Sequence, residues 1–374
     1  MITEATDCES HIDSEPFRKR FFPGVKNEQW NSWEWQLKNS IKSITQLSEY
    51  ISLTDEEKMI NKHLPLKITP YYLSLFWNKG VNNPIRKSVV PTNNEFLKDV
   101  NEQIDPLHEG HDSPIPGLVH RYPDRVLVLT TNCCAVNCRY CTRSRIIENE
   151  QSQHIDFGKV LDYLKEHTEV RDVLLSGGDP LTMSDSRLEM YLSKLRKIEH
   201  IEIIRIGTKV PFVLPQRITD ELVDMLKKYH PLYMSIHSTH PDEITEETKK
   251  AVEKLANSGI PMGSQTVLLN GINNDIDTLK KLFHGLLKIR IKPYYLYQCD
   301  LVVGTSHFRT HIREGIEIIE KLKGHTSGYA IPNLIIDAPG GGGKVTILPD
   351  FVEKEDDEFI YIKNYEGNIY KYPK

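Results

Sequence analysis

Val126-Leu127-Val128-Leu129 leads directly toward Cys134-x3-Cys138-x2-Cys141, so a short β-rich run delivers three closely spaced thiols at its C-terminal end. Similar β-rich runs recur at 172–175, 201–206, 232–236, 263–268 and 292–297. Between them, the segments 187–197, 219–229, 245–258 and 277–289 carry apolar residues at three- and four-residue spacing, as one face of a helix requires. Strand and helix thus alternate through roughly six cycles, the pattern of a parallel α/β barrel or a doubly wound sheet. In a barrel, ligand-binding side chains stand at the C-terminal ends of strands. The cysteines fall at such an end.

Upstream, residues 30–103 read as helices and connections. Trp33-Glu34-Trp35-Gln36-Leu37 and Ile41-Lys42-Ser43-Ile44 have helical spacing, and Thr54-Asp55-Glu56-Glu57 is a helix start signal. Trp30, Trp33, Trp35, Tyr71, Tyr72 and Phe76 read as packing residues. Downstream, Leu334-Ile335-Ile336 and Val345-Thr346-Ile347-Leu348 bracket Gly340-Gly341-Gly342-Gly343-Lys344, giving strand, glycine loop, strand. Such a loop can take φ > 0 and let a ligand lie against bare backbone. A P-loop would need Ser or Thr after the lysine and a helix beyond it, whereas Val345 follows here. Lys344 therefore suits a phosphate contact or a Schiff base to a carbonyl cofactor, the bland alternative being a solvated turn. The run from Glu353 to Glu358 reads as an acidic loop before a small hairpin turning at Glu366-Gly367-Asn368.

The 374 residues are 39% hydrophobic and 26% charged, with a net charge of -5, which is the composition of an ordinary soluble protein with a sizeable core. No basic stripe argues for nucleic acid or an anionic membrane as partner. The polar start, Met1-Ile2-Thr3-Glu4-Ala5-Thr6-Asp7, lacks an apolar signal-peptide core, and no stretch is long and apolar enough to span a bilayer. A cytoplasmic location is expected. In such a reducing compartment, clustered cysteines point to metal or redox chemistry rather than a disulfide scaffold.

Three thiolates at the spacing of Cys134, Cys138 and Cys141 can hold three corners of a [4Fe-4S] cube and leave one iron open. Structural zinc would want four ligands in paired spacing. Cys133 reads as a buried bystander, and Cys8 and Cys299 are isolated. With Tyr140 before the last cysteine, the spacing resembles the radical S-adenosylmethionine superfamily. Its members bind S-adenosylmethionine at the open iron and cleave it reductively to a 5′-deoxyadenosyl radical. Ser176-Gly177-Gly178-Asp179-Pro180, after the second strand, matches that superfamily's glycine motif. By itself the motif is a turn whose glycines allow close approach of backbone to a ligand.

His120-Arg121-Tyr122-Pro123-Asp124-Arg125, Cys141-Thr142-Arg143, Tyr297-Gln298-Cys299-Asp300, the segment from Gly324 to Tyr329 and Asp337-Ala338-Pro339 through Lys344 together resemble the lysine 2,3-aminomutase family over nearly the whole chain. The resemblance implies a partial (β/α)6 TIM-type barrel, with an N-terminal helical region over 1–110, the barrel over 111–330 and a pyridoxal-phosphate-binding segment over 331–374. It implies an isomerase using a [4Fe-4S] cluster, S-adenosylmethionine and pyridoxal 5′-phosphate to interconvert L-lysine and L-β-lysine. In that family the cofactor forms an imine with the substrate amine, the radical takes hydrogen from Cβ, and nitrogen migrates from C2 to C3. Residue by residue, Lys344 matches the Schiff-base lysine, and Arg121, Arg125 and Tyr297 match residues around pyridoxal phosphate. Ser176, Gly177, Gly178, Asp179, His237 and Gln265 match the S-adenosylmethionine site. Arg143 matches the arginine on the substrate carboxylate, and Asp300 and Asp337 match the acids on the ε-ammonium.

The resemblance further implies an external one-electron reductant of flavodoxin or ferredoxin type and a homo-oligomer. The clostridial type of the family carries a C-terminal extension whose cysteines bind zinc, but no cysteine follows Cys299 here, so no zinc is expected. Three other readings share these residues: the branch that supplies β-lysine for elongation factor P, a mutase for another basic amino acid such as arginine, and a non-enzymatic iron-sulfur or pyridoxal-phosphate sensor.

Overall fold

In the computed structural model, which describes residues 13–60, 65–147 and 155–374, the alternating segments assemble one sheet curled into an open barrel. Its strands lie side by side in chain order: β1 (Leu118–Tyr122), β2 (Arg125–Thr131), β3 (Asp172–Gly177), β4 (Ile203–Thr208), β5 (Leu232–His237), β6 (Met262–Leu268), β7 (Lys292–Gln298), β8 (Asn333–Ala338) and β9 (Gly343–Ile347). From β2 to β8 every pairing is parallel; β1 and β9 close the two edges in antiparallel fashion. The six runs read from sequence are β2 to β7, and their order is that of a partial (β/α)6 barrel.

Parallel neighbours need crossover helices. These are Phe157–Glu166, Asp185–Leu195, Asp220–Leu226, Glu246–Asn257, Ile276–Lys288 and Ile312–Leu322, started by Asp156, Ser184, Thr219, Thr245, Asp275 and His311. Each cap side chain accepts a backbone N–H from the first helical turn, satisfying a donor that has no partner within the helix. Along β6 burial alternates: Met262, Ser264, Thr266 and Leu268 are buried, while Gly263, Gln265 and Val267 line a cavity inside the barrel. A pleated strand turns successive side chains to opposite faces, so one strand serves core and cavity at once.

The N-terminal residues form short helices around an aromatic cluster in which Phe17 meets Phe21, Phe22, Trp30, Tyr50 and Trp77. Thr54 starts the helix Asp55–Lys58 with the expected reciprocal cap. Ile41 differs from its reading: it forms a β-bridge with Ile68, and the helix begins at Ile44, because Ser43 caps it. Tyr71 and Tyr72 reach the barrel through hydroxyl contacts of 2.6 Å with Thr245 and Glu243.

The C-terminal residues also differ from expectation. The acidic run is not a loop throughout, since β10 (Val352–Glu355) pairs with β11 (Phe359–Lys363), and β11 pairs with β12 (Ile369–Pro373). Alternating charges along Glu353-Lys354-Glu355 suit an exposed strand, and Lys363 on β11 reaches Glu353 at 3.0 Å. The hairpin turns at Gly367, whose φ of 86° favours glycine.

Candidate active site

The cysteine loop leaves β2 at the C-terminal end of the barrel, and the glycine motif of β3 holds it there. Gly178 donates its N–H to the carbonyl of Thr131 at 2.6 Å, and Asp179 donates to that of Cys133 at 2.7 Å. A Cβ on Gly177 would lie 2.3 Å from the Thr131 oxygen, and one on Gly178 would lie 2.2 Å from the Cys133 oxygen. The close approach these glycines permit is therefore to the cysteine loop itself. Asp179 is a buried anchor whose carboxylate accepts from Thr208 Oγ1 and from the N–H groups of Leu181, Lys209 and Val210.

Cys134, Cys138 and Cys141 are free thiols near one another. Burial first, then the proximity of Cys138, pushes Cys141 up to about 11; burial, Cys141, Asp179 and Cys138 push Cys134 well above its usual range. Cys134 and Cys141, crowded and desolvated beside Cys138, resist ionising, and a cationic cluster would supply the missing compensation. Among the described residues no three His, Cys, Asp or Glu side chains converge on one ion. A four-iron cube requires no such convergence, since each ligand takes a different iron. The donor set fits the cube. Cys133, by contrast, is exposed rather than buried, because its carbonyl is what the glycine motif grips. Cys8 lies outside the described residues.

Inside the barrel is a cavity of about 810 Å³. Of the residues singled out in sequence, its walls bring together Arg121, Arg125, Arg143, Ser176, His237 and Gln265, and with them Tyr297, Asp300, Asp337 and Lys344. Gly177, Gly178, Asp179 and the three cysteines are not part of its lining.

Lys344 stands on β9 opposite Asp337 of β8, and its ammonium lies 3.0 and 3.2 Å from the two carboxylate oxygens. The same ammonium is 5.4 Å from the centre of the Tyr297 ring. The glycine loop draws β9 against β1: the Lys344 N–H donates to Tyr122 Oη at 2.9 Å, and a Cβ on Gly343 would come within 3.1 Å of that oxygen. Gly343 has φ 79°, so both close approach and backbone conformation call for glycine. Arg121 donates to Asp112 at 2.7 Å and to the Leu107 carbonyl. Arg125 donates to Asp124 at 2.9 Å and lies 3.8 Å from the Tyr122 ring centre. A lysine, two arginines and a tyrosine lining one cavity suit an aldehyde cofactor bearing a phosphate.

At the cysteine end, Arg143 is bidentate with Glu109, Nη2 donating to Oε1 at 2.7 Å and Nε to Oε2 at 3.2 Å. Glu109 also accepts from Arg145 at 2.8 Å. Burial works against its charge, yet the two guanidiniums hold its carboxyl down at about 2. Asp300 accepts from Thr142 Oγ1 at 2.7 Å, and burial raises its carboxyl to about 6, with Asp337 adding to the rise. His237 stacks on Tyr140 with its Nε2 3.0 Å from the phenol oxygen; burial, then the Lys209 ammonium, lowers the imidazole to about 3, so it is neutral.

Residues 128–283 match the model of the radical SAM superfamily, and residues 319–374 match the model described as lysine-2,3-aminomutase. An L-lysine 2,3-aminomutase of Fusobacterium nucleatum is 50% identical over 361 residues, spanning 95% of this chain and 85% of the relative. The chain belongs to the lysine 2,3-aminomutase family. The L-lysine 2,3-aminomutase of Clostridium subterminale is 49% identical, over 95% of this chain and 87% of its own. A glutamate 2,3-aminomutase of Clostridioides difficile is 45% identical, over 92% and 83%. As a member of the lysine 2,3-aminomutase family, the chain is a radical-SAM isomerase whose cofactors are a [4Fe-4S] cluster, S-adenosylmethionine and pyridoxal phosphate. No helix among the described residues is long and apolar enough to cross a membrane.

Several residues at this aminomutase site escaped the sequence reading. Glu109 belongs to no periodic segment or motif, and nothing local marks it as the partner of Arg143. Lys209 and Glu243 form a buried ion pair at 2.9 Å, and Lys209 also donates to Thr239 at 2.7 Å and Tyr140 at 3.3 Å. The Tyr140 hydroxyl, lying between Thr239 and His237, ties this pair to the cavity wall. Thr142 lies between Cys141 and Arg143, and that adjacency is its one local signal.

Proposed function

We propose that this chain interconverts L-lysine and L-β-lysine, with Arg143 on the substrate α-carboxylate, Asp300 and Asp337 on its ε-ammonium, and Lys344 holding pyridoxal phosphate between turnovers. The observation that carries this reading is one cavity with a guanidinium at the cysteine end and two carboxylates near the cofactor lysine. A buried ammonium without partners is costly, and two acids offset that cost while repelling the carboxylate of a glutamate side chain.

When bound, the cluster with S-adenosylmethionine supplies the radical, and pyridoxal phosphate supplies the π-system that lets an amino group move between adjacent carbons. The protein's part is binding, orientation and exclusion of water. Cys134, Cys138 and Cys141 would hold the cluster, and the neighbouring Gly177-Gly178 segment, His237 and Gln265 would flank the S-adenosylmethionine. Arg121, Arg125 and Tyr297 surround pyridoxal phosphate. Neutral His237 adds no positive charge to compete for the two acids. Thr142 keeps one oxygen of Asp300 in place, leaving the other to the substrate ammonium. A cytoplasmic flavodoxin- or ferredoxin-type donor would supply the electron this chemistry needs, and the working unit is a homo-oligomer.

The test is an anaerobic assay of the reconstituted protein with lysine, arginine and glutamate, scoring β-amino acid by mass and chromatography. Conversion of lysine is expected. Turnover of arginine with lysine inert would require new roles for Asp300 and Asp337.

A further inference from the structure

Arg143 has a divided guanidinium. Its Nε and Nη2 edge is occupied by Glu109, with distances of 2.7, 3.0 and 3.2 Å. Its Nη1 is turned the other way and donates to the hydroxyl of Ser176 at 3.5 Å, a long contact. Both Arg143 and Ser176 line the cavity. The Ser176 hydroxyl receives from Arg143, and its own proton has no acceptor among the described residues, so one donor remains to offer. Gly207 on the neighbouring strand leaves the hydroxyl room: even a Cβ there would be 3.6 Å from Ser176 Oγ.

Glu109 is 4% exposed and comes from the loop before β1. Arg145 pins it from the far side, and Arg145 is itself paired with Asp105 at 3.0 Å. The Glu109 carboxylate is thereby fixed, and a bidentate pair fixes the plane and rotation of the arginine it holds.

We propose that the substrate α-carboxylate is seated by a pair of donors, Arg143 Nη1 and the Ser176 hydroxyl, and that Glu109 is the positioning residue that turns this edge of Arg143 into the cavity. The inference rests on the assignment of Arg143 to the substrate carboxylate. Two donors 3.5 Å apart can each take one oxygen of a carboxylate. Ser176, read in sequence as part of the S-adenosylmethionine motif, then serves the amino-acid substrate.

The test uses full-length protein reconstituted with iron and pyridoxal phosphate, without S-adenosylmethionine so that nothing turns over. The perturbation of cofactor absorbance on titration with L-lysine or with L-lysinamide, which lacks the carboxylate, gives a Kd for each. Ser176→Ala and Glu109→Gln should each weaken L-lysine binding roughly tenfold, as loss of a charge-assisted hydrogen bond does, while leaving L-lysinamide binding and iron content unchanged. Equal effects on both ligands, or none on lysine, overturn the proposal. A gain in lysine affinity for Glu109→Gln would make Glu109 a competitor for Arg143 and likewise overturn its positioning role. Arg143→Gln separates the two levels: if it weakens lysine alone while Ser176→Ala and Glu109→Gln do nothing, this inference fails and the assignment of Arg143 stands. If Arg143→Gln leaves lysine binding unchanged, both fall.

Discussion

The ammonium of Lys344 lies 3.0 Å from a carboxylate oxygen of Asp337, its direct partner across the β8–β9 ladder. On the proposed assignment, the residue for the cofactor and a residue for the substrate neutralise each other until the cofactor arrives. Committing Lys344 to the cofactor releases Asp337 for the substrate ammonium. Asp337→Asn should therefore keep the visible absorbance of bound pyridoxal phosphate and weaken L-lysine binding roughly ten- to hundredfold. Lys344→Ala should lose that absorbance while keeping its iron. Retained absorbance would remove Lys344 from its role.

Asp300 carries a pH signature. Burial raises its carboxyl from an ordinary 3.8 to about 6, so the folded protein holds this proton more tightly than the unfolded chain does. The resulting instability is absent below about 4, grows as pH rises between the two values, and is fully present above about 6. At about 1.4 kcal/mol per unit, the cost at neutral pH is about 3 kcal/mol at most. Asp300→Asn should raise the unfolding midpoint at pH 8, give no gain near pH 4, and weaken lysine binding. A midpoint at pH 8 equal to or below that of the parent contradicts the buried-charge account. In the parent protein, lysine affinity should fall as pH drops through about 6.

Gly178→Ala tests the grip of β3 on the cysteine loop. The added methyl would sit 2.2 Å from the Cys133 carbonyl, which is backbone and cannot swing aside. The loop must shift, so reconstitution should yield far less bound iron, read by iron analysis and cluster absorbance. Gly80→Ala, with nothing within 4 Å of the new methyl, should reconstitute fully.

Lys209 and Glu243 make a different demand. Glu243 is fully buried and Lys209 is 8% exposed; burial disfavours the ammonium, but Glu243 overrides it and keeps Lys209 charged. Lys209→Met leaves the carboxylate without its cation and should cost about 3–5 kcal/mol, measured by denaturant unfolding. Replacing both partners, Lys209→Met with Glu243→Leu, should recover part of that loss. No recovery would mean that Tyr72, Thr239 and Tyr140 depend on the pair as hydrogen-bond partners more than on its charge balance.

Much of the site was legible because its signals are local. Cys134, Cys138 and Cys141 lie on one loop, so their spacing in sequence constrains their spacing in space. The runs that became β2 to β7 were marked by β-branched residues and by the helical periodicity between them. The strand β10 was missed because its charges look like a solvated loop until β11 is placed beside it. Cys133 was misplaced as buried because a lone small residue carries no sign of which way its loop is turned. Glu109 could not be found at all, since its meaning lies in a contact with a residue 34 positions away.

The sequence by itself determined the succession of strands and helices along the chain, the thiol-bearing loop and the glycine loop ahead of Lys344, because each depends on spacing and backbone freedom within a few residues. Only the tertiary structure decided how Arg143 divides its donors between Glu109 and Ser176, and that Asp337 faces Lys344. Both follow from barrel closure and strand register, which bring distant segments to within hydrogen-bonding distance and leave each side chain a limited set of partners.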